Sequence, residues 1–216
     1  MEETRCAMVN ILKLRTIINK DRTLKRLHIK EGTEVFKSAD SIFEEVSRII
    51  RNSLQWTAVY KVVDSLDIKG VKKHEKYVVC FVSAKGVVAE MSHNLMSSGQ
   101  YMKGYLLHET ALDAMFDASN EMNKIINNEA SKAGLGLSKR YAPGDGDVDL
   151  DSQRCLIDML KMEAEIDAYL NEKNIITPES SLLYILGMEK CKECMKNAEE
   201  CACCSNDNCQ YRRVHN

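Results

Sequence analysis

The sequence predicts an α+β fold, a single mixed domain in which a modest, largely antiparallel sheet is flanked by long helices. Two observations predict it. Helix-like and strand-like runs follow one another in the order helix, two strands, two helices, a loop, a helix and a strand, and only two prolines interrupt them. A chain of 216 residues with 44% hydrophobic content suits one large domain with appendages, or two small domains. The predicted parts are an N-terminal segment at 1–33, a domain at 34–189 and a Cys-rich tail at 190–216.

The first half of the domain is predicted to be a helix followed by two strands. Apolar residues recur at helical spacing over residues 38–54, behind Ser38 or Asp40 as the N-cap. Residues 57–63 and 77–82 are rich in β-branched and aromatic side chains, which favour strands. The second of these runs is apolar throughout, so it predicts a central strand that is buried on both faces.

The second half is predicted to hold three helices and a last strand. The longest helix carries one apolar stripe, and we expect Gly134 and Gly136 to end it. Pro178 separates the last helix from a short apolar run. These patterns place helices at residues 87–98, 103–133 and 149–170 and a strand at 181–186.

Composition argues against two classes of function. A net charge of −2 with 29% charged residues gives a mixed surface, so no nucleic-acid face is predicted. No window approaches the roughly 18 consecutive apolar residues of a membrane span, so no membrane association is predicted. The start of the chain lacks a basic region followed by a long apolar stretch, which favours a cytoplasmic location where thiols stay reduced.

The Cys-rich tail carries the strongest chemical signal, since six of the nine cysteines lie in the last 26 residues. Two CxxC pairs and a fifth thiol are the candidate metal ligands: Cys191, Cys194, Cys201, Cys204 and Cys209. Two intervening residues let the chain fold back so that both thiolates face one metal ion. The tail has almost no large apolar residues, so we expect a zinc ion or an iron–sulfur cluster to order it. A disulfide frame and a tail of free thiols are the alternatives.

A glycine-containing loop at residues 139–153 is the second candidate site. Gly144 and Gly146 leave room for a ligand to approach the main chain. Arg140 opens the loop, and its planar guanidinium suits a carboxylate or phosphate because it donates two parallel hydrogen bonds. The pattern predicts an anion-binding loop, with a purely structural turn as the alternative.

Several motifs, taken together, resemble one known family. They are Arg140-Tyr-Ala-Pro-Gly144, Ile176-Thr-Pro-Glu-Ser-Ser-Leu-Leu-Tyr-Ile-Leu-Gly187, Gly104-Tyr-Leu-Leu-His-Glu-Thr-Ala-Leu-Asp-Ala, Val78-Val-Cys-Phe-Val-Ser and Cys209-Gln-Tyr-Arg-Arg213. In combination they resemble the reactivation (activation) domain of cobalamin-dependent methionine synthase. They resemble more closely the stand-alone, Cys-tailed versions in anaerobic bacteria. The resemblance covers most of the chain from Glu34 onward.

The resemblance implies a ligand and the residues that hold it. Domains of that family bind S-adenosylmethionine and, in the full-length enzyme, place its methyl group over the cobalt of a corrinoid domain. By resemblance, Arg140 holds the ligand and the backbone from Ala142 to Gly144 contacts it. An acidic residue of the preceding helix also contributes, and Asp113 and Asp117 are the two candidates.

One position departs from the family pattern. The family usually has a tyrosine directly after the Pro-Gly, and this chain has Asp145. An aspartate cannot supply the ring contact, but it could pair with the amino or sulfonium charge of the ligand.

The implied function is that of an accessory subunit in a methyltransferase system rather than a complete enzyme. It would bind S-adenosylmethionine for the reductive reactivation of a corrinoid. The cobalamin would belong to a corrinoid-binding protein or methionine synthase subunit, because this chain has no Asp-x-His-x-x-Gly corrinoid-ligand motif. The alternatives are a metal-binding redox accessory that does not bind S-adenosylmethionine, and a partner that only docks.

Overall fold

A five-stranded sheet forms the centre of the structure, a computed structural model that describes residues 9–84, 87–162 and 166–190. The strands are β1 (Asn10–Leu12), β2 (Trp56–Val63), β3 (Lys76–Ala84), β4 (Gly136–Tyr141), β5 (Tyr169–Leu170), β6 (Ile176–Thr177) and β7 (Ser181–Glu189). The order in the sheet is β1-β2-β3-β7-β4, and every neighbouring pair is antiparallel. β5 and β6 pair with each other in a small separate ribbon.

Helices cover both faces of this sheet. They are α1 (Lys20–Arg26), α2 (Glu34–Ser53), α3 (Val87–Ser97), α4 (Tyr101–Lys132) and α5 (Ser152–Lys161). Val78 and Cys80 of β3 share one buried cluster with Met122 of α4, whereas Phe81 shares a second cluster with Leu156 of α5. Successive strand residues point to opposite faces, so a strand covered on both sides must be apolar throughout. The prediction of a central, two-faced strand is confirmed.

The first half of α4 packs against the other helices rather than against the sheet alone. A third buried cluster joins α1, α2 and α3 to α4 and includes Phe43 and Ile50 of α2. α2 begins earlier than predicted because Thr33 is its N-cap, and the Thr33 side chain accepts a hydrogen bond from the Phe36 amide at 3.1 Å. α4 ends near Gly134, as predicted, and Gly134 has a φ of +72°.

The predicted fold class, α+β with a largely antiparallel sheet and flanking helices, is confirmed, but two element predictions are wrong. The helix expected at 149–170 is α5, which ends at Lys161. Ile166 and Ala168 continue its apolar pattern from outside any helix. Gly136 does not end a helix but begins β4, so the predicted loop at 139–153 starts inside a strand.

The structure also contains elements that the sequence patterns did not predict. β1 pairs with β2 at the edge of the sheet, and α1 packs on α4. Residues 9–33 therefore add a strand and a helix to the layers formed by residues 34–189. The boundaries of the predicted parts stay predictions, and Cys191 and all later residues lie outside the described residues.

Candidate functional site

Arg140 leaves β4 on the face of the sheet that α4 covers. The register of β4 is irregular, because Leu137 pairs with Met188 while Arg140 pairs with Leu186. Between these two pairs β4 has one residue more than β7, which is a β-bulge. Leu137, Leu186 and Met188 all belong to the cluster beneath α4, so the residue paired with Leu186 lies on that same face.

A ring and a helix hold the guanidinium of Arg140. Its Cζ atom lies 3.9 Å from the centroid of the Tyr184 ring, within cation–π range. One Nη atom donates a hydrogen bond to Oγ of Ser119 on α4 at 3.0 Å. The Tyr184 hydroxyl in turn donates to Oδ1 of Asn123 at 2.8 Å, and both of these residues are fully buried. The arrangement orients the planar fork that can bind a carboxylate bidentately.

The loop after β4 forms a tight turn that requires glycine. The Gly144 amide donates to the Val148 carbonyl at 2.9 Å, and the Asp145 amide donates to the Ala142 carbonyl at 3.0 Å. Gly144 has a φ of +83° and Gly146 a φ of +58°, in the left-handed region that favours glycine. The backbone amides of Gly144 and Asp145, two of the predicted ligand-contacting residues, therefore donate hydrogen bonds within the turn itself. The Asp145 side chain is exposed.

Asp113 and Asp117 are ion-paired with α1. Asp113 accepts hydrogen bonds from Nε of Arg22 at 2.9 and 2.8 Å and from Nη1 of Arg26 at 2.9 Å. Asp117 also pairs with Arg22, and Glu109 pairs with Arg26 at 3.0 Å. Burial alone would lower the pKa of Arg22, but the hydrogen bonds and charges of Asp113 and Asp117 raise that pKa above its ordinary value. We refer to these five residues as the α1–α4 ion-pair cluster.

The predicted ligand-binding residues therefore fall into two groups on different sides of α4. Asp117 and Ser119 are two positions apart on the helix, and side chains at that spacing do not face each other. Asp113 lies one turn before Asp117 and binds the same arginine. The structure brings together the four predicted residues at the end of β4 and places both aspartates with α1.

Sequence reasoning misses the residues that hold Arg140. Tyr184 lies in the motif from Ile176 to Gly187, and alternation along β7 puts it on the same face as Leu186. The strand pattern therefore contained a signal for Tyr184. Ser119 and Asn123 are one helical turn apart on α4 and are fully buried. Polar side chains are rare on an apolar helix stripe, and this is the feature of the sequence that could have identified Ser119 and Asn123.

The predicted metal ligands, Cys191, Cys194, Cys201, Cys204 and Cys209, lie outside the described residues. Among residues 9–84, 87–162 and 166–190, no group of three or more His, Cys, Asp and Glu side chains is arranged to hold a metal ion. In the same part of the chain, no helix combines the length and apolar character needed to cross a membrane.

Comparison with known proteins finds a relative in fold. A crystal structure of the MetH reactivation domain bound to AdoHcy matches this chain with a TM-score of 0.62, over 85% of this chain and 79% of that chain. The two sequences are 10% identical, so the match shows a shared fold. No protein-family model matches the chain, and no curated protein matches it.

Proposed function

We propose that this chain binds S-adenosylmethionine at the end of β4 and acts as an accessory in the reductive reactivation of a corrinoid carried by a partner. The observation that supports this most is the placement of Arg140. It stacks on Tyr184, binds Ser119 and directly precedes a glycine turn. A domain of the same fold is known with AdoHcy bound, a ligand that differs from S-adenosylmethionine by the sulfonium methyl group.

The charges of the ligand suit the side chains at this end of the sheet. S-adenosylmethionine carries a carboxylate, an ammonium and a sulfonium group. We assign the carboxylate to Arg140, because a guanidinium pairs with it through two parallel hydrogen bonds. The exposed carboxylate of Asp145 suits one of the two positive groups. Asp113 and Asp117, which bind Arg22, are assigned to anchoring α1 instead.

The share of this chain in the chemistry is binding and orientation. When bound, the corrinoid of the partner supplies the reactive cobalt. Methyl transfer to the cobalt needs no general base or nucleophile from this chain, so the residues at the end of β4 have only to hold the methyl donor in line. The partner in this proposal is a corrinoid-binding protein or a methionine synthase subunit.

The Cys-rich tail supports a metal as a second component of the proposal. Cys191, Cys194, Cys201, Cys204 and Cys209 would bind an iron–sulfur cluster, whose potential can be low enough to reduce a corrinoid, or a zinc ion, which would fold the tail. Metal analysis of anaerobically purified protein separates the two. Iron with visible cluster absorbance indicates the cluster, zinc indicates the structural site, and the absence of both metals would contradict a metal site.

The proposal is tested by calorimetric titration of anaerobically prepared protein with S-adenosylmethionine. We expect saturable binding that Arg140→Ala weakens by about 10- to 100-fold, the range that a charged hydrogen bond contributes. Arg154→Ala is the matched control, because it removes an exposed arginine on α5 and changes the net charge equally. It should bind as tightly as the wild type.

Two results would overturn the proposal. One is no saturable binding at millimolar ligand, which would leave a metal-binding redox or docking accessory as the function. The other is an equal loss in Arg140→Ala and Arg154→Ala, which would indicate a general charge effect rather than a site.

A further inference from the structure

A single glycine of β7 faces the bulge of β4. Ser138 and Lys139 lie between the pairs Leu137–Met188 and Arg140–Leu186, so both stand opposite Gly187. The Gly187 amide donates a hydrogen bond to Oγ of Ser138 at 2.7 Å, which fixes the first bulge residue. The bulge is thus held by a side chain on one strand and a backbone amide on the other.

The bulge determines which face of the sheet Arg140 occupies. Because strand side chains alternate, a regular strand would place Leu137 and Arg140 on opposite faces. The extra residue places Arg140 on the same face as Leu137, beneath α4, and places Tyr141 opposite Ile185 in the cluster beneath α5. A slip of one residue in this register would turn Arg140 away from Ser119 and Tyr184.

His74 spans the bulge on the α5 face. Its Nδ1 lies 2.9 Å from Oε2 of Glu189, and its Nε2 lies 3.0 Å from the hydroxyl of Tyr141. Glu189 pairs with Gly136 before the bulge, whereas Tyr141 follows the bulge. The ring also lies directly on Gly187, where an added Cβ would fall 2.2 Å from Cδ2 of His74.

The His74 ring is buried, and both of its nitrogens have a polar partner. Its side chain is only 5% exposed. A carboxylate only accepts hydrogen bonds, so Nδ1 carries a hydrogen and donates to Glu189, and in the neutral ring Nε2 accepts from Tyr141. Burial, followed by the charge of Glu189, raises the pKa of Tyr141, so the phenol stays protonated.

We propose that His74 is a positioning residue for Arg140, a clamp across the bulge that keeps the arginine on the α4 face. It acts through Tyr141 and Glu189 from the opposite side of the sheet and does not touch the ligand. The effect on ligand binding rests on the proposed function. The effect on the register of β4 does not, and it can be measured without ligand.

The experiment compares four variants of the full chain. Tyr141→Phe removes the hydroxyl that contacts His74 and that also interacts with Ser138 and the Lys72 backbone. His74→Phe keeps a ring over Gly187 but removes both nitrogens. His74→Gln keeps a donor and an acceptor, so it tests rescue. Tyr60→Phe is the matched control, since its buried hydroxyl on β2 donates to Glu129 at 2.6 Å, away from the bulge. The readouts are calorimetric affinity for S-adenosylmethionine and amide exchange over residues 137–144 in ligand-free protein.

We expect Tyr141→Phe and His74→Phe to weaken ligand binding by about fivefold or more and to speed exchange over residues 137–144. We expect Tyr60→Phe to do neither and His74→Gln to recover most of the affinity. If His74→Phe does not fold, the conservative Tyr141→Phe still tests the clamp, because it removes the contact with Nε2 of His74. Wild-type affinity and exchange in Tyr141→Phe, or equal effects in Tyr60→Phe, would overturn the inference.

Ligand affinity and amide exchange test the proposed function and the role of His74 separately. If the wild type does not bind S-adenosylmethionine, the proposed function is wrong and exchange alone decides the role of His74. Faster exchange over residues 137–144 in Tyr141→Phe than in Tyr60→Phe would still support the clamp. Equal exchange in the two variants would overturn it.

Discussion

Two regions that contain arginine lie on different sides of α4 and are built in opposite ways. In the α1–α4 ion-pair cluster the arginines contact carboxylates, and the side chains of Arg26 and Asp113 are only 6% and 4% exposed. At the end of β4, Arg140 contacts the neutral hydroxyl of Ser119 and the neutral ring of Tyr184. The first region pairs opposite charges inside the protein, and in the second a hydroxyl and an aromatic ring orient a guanidinium.

The two regions are expected to contribute to different properties, the ion-pair cluster to stability and the end of β4 to ligand binding. Removing one partner of a buried ion pair removes its charged hydrogen bonds, so the folded state loses stability. A guanidinium oriented by a hydroxyl and an aromatic ring has the planar fork that recognises a carboxylate. We therefore expect changes in the ion-pair cluster to affect unfolding and changes at the end of β4 to affect ligand binding.

The largest expected effect comes from breaking the ion-pair cluster. Asp113→Asn should lower the free energy of unfolding by about 2–3 kcal/mol, because it removes the charged hydrogen bonds that one carboxylate makes to Arg22 and Arg26. Each arginine keeps a second carboxylate, Asp117 or Glu109, so neither is left without a counterion. Affinity for S-adenosylmethionine should change little. Urea unfolding and calorimetry measure the two quantities.

The control for that prediction is an ion pair at the surface. Asp40 pairs with Lys20, and its side chain is 47% exposed, so Asp40→Asn should cost less than about 1 kcal/mol. If Asp113→Asn instead lost ligand affinity and kept its stability, Asp113 would be a ligand contact and the division between the two regions would be wrong.

A smaller effect is expected from the turn after Arg140. Gly144→Ala should cost about 1–2 kcal/mol of stability because the residue has a positive φ, and the new Cβ would lie 3.0 Å from Leu150. It should also weaken ligand binding, since the turn shapes the site. Gly134→Ala is the control, with a φ of +72° and open space around it at the end of α4. Equal affinities in the two variants would show that the turn does not contribute to binding.

The smallest effect concerns alkaline pH. The pKa of Tyr141 is raised by burial and then by the charge of Glu189, so the folded state holds this proton more tightly than the unfolded chain does. Its contribution to stability is therefore complete below the unfolded pKa of about 10 and is lost as pH rises from there through the folded pKa. The loss is at most about 1.4 kcal/mol per pH unit.

Tyr141→Phe should flatten this alkaline decline in unfolding free energy. The α1–α4 ion-pair cluster should not contribute to the decline, because the pKa of Arg22 is raised and arginine stays charged in this range. Parallel pH profiles of the wild type and Tyr141→Phe would contradict the role given to Tyr141.

Elements with a strong local pattern could be predicted, and elements that depend on a partner could not. The apolar run of β3 and the long stripe of α4 encode burial directly in their spacing. β4 mixes Gly, Ser, Lys and Arg and becomes a strand because β7 pairs with it. The helix predicted at 149–170 was too long for the same reason: tertiary packing lets an apolar residue such as Ile166 reach the core without being helical.

The same distinction between local and distant residues applies to the candidate site. Arg140 and the glycine turn are neighbours in the chain, so a motif can identify them together. The residues that hold Arg140 come from α4 and β7, and His74 comes from the connection between β2 and β3. Local sequence cannot reveal which distant side chains will meet.

By itself, the sequence determined the periodicities that make the helices and inner strands, the glycine turn after Arg140 and the cysteine spacing of the tail. Only the tertiary structure decided which face Arg140 occupies, because the bulge exists only where β4 pairs with β7. It also decided the ion pair of Asp113, whose partner Arg22 is 91 positions away. Local patterns favour particular dihedral angles and burial. Strand register and ion pairing depend on interactions between distant segments, so their free energies exist only once the chain has folded.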